Sequence, residues 1–138
     1  MTRTQIELVR QSWKEVALVG DAAARLFYAR LFALDPSLAS MFSGDMAEQG
    51  RKLVAMISVA VNGLARIETL VPVIEALGRR HAGYGVRDHH YAIVAEALLW
   101  TLAHALGKGF TPEVKQAWTA AYGILASTMQ GAAQAKAA

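Results

Sequence analysis

Leu77-Gly78-Arg79-Arg80-His81, closed by Gly83-Tyr84-Gly85, is the stretch that decides how this chain reads. Upstream lie Leu70 and Ile74, so Leu70, Ile74, Leu77 and His81 fall at i, i+4, i+7 and i+11. That spacing puts three aliphatics and then an imidazole on one face of a helix. A nitrogen at the end of an apolar stripe faces the interior and needs something to receive it. A buried histidine bonded to a carbonyl would satisfy that need as well as a ligand would, so the surrounding chain has to decide.

Composition narrows the field. The chain has 138 residues and no glycine- or proline-rich linker, which predicts one domain, 1–138, able to bury roughly two-thirds of its unfolded surface. Apolar residues make up 54% and charged residues 18%, with three prolines, and that balance excludes disorder except at the ends. Fraying is expected in the alanine-rich tail, 131–138. With no cysteine, disulfides, thiolate metal sites and cysteine catalysis are excluded together, and a reducing compartment fits. No charged-then-apolar leader opens the sequence, and its longest apolar run, Leu53 to Val61 broken by Ser58, is too short for a bilayer. The expectation is a cytoplasmic protein with no membrane partner. Although the formal charge is +3, the basic residues are spread along the chain apart from Arg51-Lys52 and Arg79-Arg80, so no clustered face for nucleic acid is expected.

Every long segment repeats at about 3.6 residues and none alternates, which predicts an all-α fold of about seven helices. Thr4-x-x-Glu7 reads as a capping box for a first helix to about Leu18, with Ile6, Val9, Trp13 and Val16 or Ala17 inward. Gly20-Asp21 punctuates before a second helix carrying Ala24, Phe27, Tyr28, Leu31 and Phe32 on one face. Asp35-Pro36 caps a short third helix to about Ser40, and Met41-Phe42 then fall in a turn. A fourth helix, from about Ala47 to Leu64, carries Gln49, Leu53, Met56, Ala60 and Leu64 along its inward stripe. The fifth runs from about Thr69 to His81, the sixth is capped by Asp88 and reaches Leu106, and the seventh opens at Thr111-Pro112-Glu113 and ends near Thr128.

Two consecutive helices thus carry one polar residue each at the edge of an apolar stripe, Gln49 and His81. A flat, mostly apolar cofactor with a central metal would fit between them: it wants a neutral imidazole on one side, donors on the other and cations near its carboxylates. The chain resembles a known family over nearly its whole length. The matching segments are Leu26-Phe27-Tyr28-Ala29-Arg30-Leu31-Phe32, Pro36, Met41-Phe42, Gln49 to Leu53, Leu77 to His81, His90-Tyr91, and Ala117-Trp118 to Tyr122-Gly123. In that order and spacing they are similar to bacterial single-domain haemoglobins, to the globin domain of flavohaemoglobins and to Vitreoscilla-type haemoglobin.

The resemblance implies a globin fold, helices in a three-over-three sandwich around haem b. By residue, it implies His81 as the proximal iron ligand, Phe42 stacked on the haem, Tyr28 and Gln49 as distal polar groups, and Leu53 over the ligand site. Leu77 and Val86 line the cofactor, and Tyr91 matches a tyrosine that hydrogen-bonds near the proximal histidine. Lys52 and Arg80 are placed to reach the propionates, while His89, His90 and His104 follow no such stripe and read as structural or surface residues. Dioxygen, carbon monoxide and nitric oxide are the implied ligands. A phenol and a primary amide both donate, and dioxygen on ferrous iron carries negative charge on its outer atom, so slow release and high oxygen affinity are expected.

One departure matters. In flavohaemoglobins a glutamate of the last helix joins the proximal histidine and tyrosine; here Val114 to Ala138 contain no acid, and Ala133 stands at that point. A less anionic imidazole pushes less electron density to iron, which disfavours oxygen–oxygen cleavage. The sequence also stops where a flavin and nicotinamide reductase would begin, so nitric oxide dioxygenase chemistry would need an external reductase. Reversible oxygen storage, delivery or scavenging is the expected role, a binding protein before an enzyme; nitric oxide dioxygenase is the alternative, and a sensor would want an output domain.

Overall fold

A computed structural model of the chain describes residues 1–137. Among them are six α-helices: α1 (Arg3–Ala17), α2 (Gly20–Leu34), α3 (Met46–Asn62), α4 (Ile67–Gly83), α5 (Asp88–Leu106) and α6 (Pro112–Ala137). A 3₁₀ segment, Pro36–Met41, is the short third helix expected from Asp35-Pro36, and two further 3₁₀ turns lie at Leu64–Arg66 and Gly107–Gly109. There is no strand among the described residues. The helices form a three-over-three sandwich: α1, α3 and α4 lie over α2, α5 and α6, with α4 and α1 on α6 and α3 on α2.

Several helix ends differ from the sequence reading. The first capping box is Thr2 with Gln5, not Thr4 with Glu7: Gln5 N–H donates to Thr2 Oγ1 and Thr2 N–H to Gln5 Oε1, each at 3.0 Å. Both pairs have the right spacing, and the earlier one gives the helix two more residues. Gly20-Asp21 does not break the chain; α2 starts at Gly20, because the turn falls at Leu18-Val19. Asp88 is the first residue of α5 and not its cap; instead Arg87 N–H donates to His90 Nδ1 at 2.9 Å. Asp45 caps α3 through Ala47 N–H at 2.9 Å, and Thr111 caps α6 through Val114 N–H at 3.2 Å. The expected frayed tail is helix as far as Ala137, with Ala132 buried; alanine is the best helix former, and Ala138 lies outside the described residues.

Two apolar clusters hold the layers. One joins Val9, Trp13 and Val16 of α1 to Val61, Leu102, Ala117, Trp118 and Ala121. Trp13 and Trp118 meet edge to face at 6.0 Å, and their indole N–H groups donate to Ser58 Oγ at 2.9 Å and Ser12 Oγ at 2.8 Å, so neither buried donor is left unpaired. The second cluster holds Phe27, Tyr28, Leu31, Leu38 and Ala97, with Phe32, Phe42, Leu53 and Val94 packed on it. Gly78 sets the α4–α6 crossing: a Cβ there would run into the Met129 backbone carbonyl.

Candidate functional site

The inward stripes of α3 and α4 change character along their length. Near the Leu64–Arg66 turn they are buried: Ala60 on α3, Leu64 in the turn itself, and Leu70 and Ile74 on α4, at 5%, 6%, 5% and 2% exposure. Farther from it, Gln49, Leu53 and Met56 on α3 and Leu77 and His81 on α4 are only half-buried. The chain bends by 51° between the two helices, and α3 leans on α1 and α2 while α4 leans on α6. Half-covered side chains on both arms leave area that a large flat group placed between them would bury, which makes the two arms the candidate cradle.

His81 stands in the last turns of α4 with one nitrogen already committed. Its Nδ1 lies 2.8 Å from the Leu77 carbonyl oxygen, so the Nδ1–H donates there and Nε2 keeps a free lone pair. Burial holds the imidazole below its ordinary pKa; the Leu77 bond works against this and the Arg80 charge with it. The neutral form that ligates a metal is therefore favoured. The following turn is tied to the same residue, since Val86 N–H donates to the His81 carbonyl at 3.1 Å and Gly85 takes φ +93°, a backbone state natural to glycine. Half-buried Val86 is thereby fixed beside the imidazole's own backbone.

Tyr28 belongs to an aromatic group from α2 and the segment after it. Phe27 lies 5.1 Å, Phe42 5.2 Å and Phe32 6.0 Å from its ring. Burial pushes the phenol up to about 12, so it stays a protonated donor, and its hydroxyl meets no hydrogen-bond partner among the described residues. A core tyrosine bonded to a carbonyl would look different. Leu53 packs on the same cluster. Gln49, in the first turns of α3, is half-buried and its amide is likewise unpartnered among the described residues.

Other expected residues are placed less tightly. Lys52 is exposed and lies 3.8 Å from Glu48, a pair that solvent screens and that leaves the ammonium free to move; Arg80 is exposed. Tyr91 is half-buried, and its backbone carbonyl accepts the Tyr122 hydroxyl at 2.6 Å. Burial and the nearby Asp88 charge raise the Tyr91 phenol, which makes no hydrogen bond to His81 among the described residues. Sequence reasoning named Leu77 as a lining residue but missed its carbonyl as the partner of Nδ1, although an i−4 carbonyl was the signal. It read His90 as a structural or surface residue, and the structural reading holds, because the buried ring caps α5.

A family model for globins matches residues 25–129. The chain belongs to the globin family and is a haem protein. Among its relatives is a neuroglobin from Danio rerio, 33% identical over 88% of this chain and 86% of that protein. Another is a flavohaemoprotein from Bordetella parapertussis, 35% identical over 81% of this chain but 29% of that longer protein. A solved structure from Rhodothermus marinus, an engineered carbene transferase described as a candidate nitric oxide dioxygenase, is 27% identical with TM-score 0.87, covering 99% of this chain and 96% of that one. No single helix among the described residues is long and apolar enough to cross a membrane.

Proposed function

We propose that this chain is a cytoplasmic haem b protein that binds dioxygen reversibly for storage, delivery or scavenging, with His81 as the proximal ligand. A haem held there supplies the ferrous iron at which dioxygen, carbon monoxide or nitric oxide binds. His81 presents Nε2 while Leu77 fixes its ring and tautomer. Tyr28 and Gln49 present donors with no competing partner, and these slow ligand release. Phe42 and Leu53 exclude water, Leu77 and Val86 line the edge, Tyr91 flanks the proximal side, and Lys52 and Arg80 stand ready for propionates. The observation that carries this reading is the combination of a half-buried imidazole, one nitrogen satisfied and one open, with a largely buried phenol whose hydroxyl makes no hydrogen bond to the described residues.

The alternative is nitric oxide dioxygenase with an external reductase, and the kinship with flavohaemoproteins and the Rhodothermus marinus protein favours it. Against it, the imidazole faces a neutral carbonyl and α6 carries no carboxylate beyond Glu113 in its first turn, so His81 donates less charge than an acid-paired imidazole would. The discriminating experiment reduces the haem-loaded protein, removes reductant and admits air, then adds nitric oxide with and without a cellular reductase. An oxygenated spectrum lasting many minutes, with one nitrate formed per haem, supports the carrier. Many turnovers with the reductase would replace it with the enzyme.

A further inference from the structure

Away from the cradle, where α2 ends and α5 begins, Asp35, His89 and His90 bring one potential ligand atom each to within 4.8 Å of one another. Asp35 Oδ1 accepts from Ser37 N–H at 3.1 Å and from Ser37 O–H at 2.6 Å, and Oδ2 is left over. The Ser37 hydroxyl first, and the two imidazoles less so, hold this carboxyl below the usual range. His90 is only 6% exposed, and its ring lies 4.1 Å from that of His89. Its Nδ1 accepts the Arg87 N–H, while its Nε2 has no partner among the described residues. Because Nδ1 acts as an acceptor, the ring is neutral and carries its proton on Nε2.

A buried neutral imidazole with an uncommitted outer nitrogen, beside a second imidazole and an ionised carboxylate, is a donor set of borderline-soft character. We propose that Asp35, His89 and His90 bind a divalent transition-metal ion of the zinc class, with water completing a four-coordinate site. Coordination through His90 Nε2 moves that ring's proton to Nδ1, without net loss, and the Arg87 N–H gives up its acceptor. The Arg87 charge opposes the cation and that of Asp35 offsets it. An ion here would tie the start of the segment leading to Phe42 to the first turn of α5. The proposal does not depend on the role of His81.

The test is calorimetric titration of zinc chloride into the haem-loaded chain at neutral pH. One ion per chain with micromolar affinity is expected. The variants His89→Ala, at an exposed position, and Asp35→Asn, which keeps the Ser37 acceptor, should each weaken binding by more than about tenfold, the loss that removal of even an outer partner causes. His104→Ala, an exposed histidine outside the cluster, should change nothing. In ¹H–¹⁵N spectra the Arg87 amide should shift as zinc is added. An absence of binding heat, equal weakening by His104→Ala, or a stationary Arg87 amide would each overturn the site.

Discussion

At the scale of single residues, two side chains stand in unusual states. His81 has its pKa depressed by burial, so the fold favours its neutral form. The sign follows: stability and haem retention are held above the ordinary imidazole value of 6.5 and are lost as pH falls through the lower folded value. Soret absorbance against pH should show a release midpoint below 6.5, and a midpoint above it would contradict the assignment. For Tyr28, a donor bond to a charged acceptor contributes about 1.5–3 kcal/mol, so Tyr28→Phe should speed dioxygen dissociation roughly ten- to a hundredfold. The carbon monoxide off-rate should move less, and an unchanged dioxygen off-rate in stopped flow would remove Tyr28 as a donor. His81, Tyr28 and Phe42 could be singled out from the sequence because each sits on a helical stripe or matches a family segment. The Leu77 acceptor and the His90 cap could not, because a backbone carbonyl has no letter of its own and a histidine at N3 is an uncommon cap.

At the scale of elements, the helix ends show what periodicity can and cannot fix. Stripes such as Val9-Trp13-Val16 and Leu70-Ile74 were read correctly because burial on one side selects them at 3.6-residue spacing. Ends were misread where two caps compete, as with Thr2 and Thr4, or where a glycine tolerates helix, as Gly20 does. The α4–α6 crossing was invisible, since a glycine within a helix does not announce a neighbouring backbone. Gly78→Ala tests it. Helix propensity alone would make the change favourable by about 0.5–1 kcal/mol, but the new methyl meets the Met129 carbonyl, and overpacking costs about 1–3 kcal/mol. Denaturant unfolding should show net destabilisation, and haem affinity should fall with it because α4 carries His81. A stabilised variant would mean that the crossing relaxes freely.

At the scale of the whole molecule, the sandwich buries the arms of α3 and α4 near their shared turn and leaves them half-covered farther out. That contrast in burial is the reason for placing haem between the two arms, and it was foreshadowed by a polar residue at the edge of each stripe. Its shape was not, because the 51° bend depends on which neighbours hold each arm. The most direct measurement is the visible spectrum of haem-reconstituted His81→Gly beside the parent protein, with and without added imidazole. If His81 holds the iron, the variant loses the reduced and carbon monoxide spectra of an imidazole-ligated haem, and free imidazole restores them. A variant whose spectra match the parent without imidazole would show that the iron is held elsewhere, and the reading of the cradle would fail.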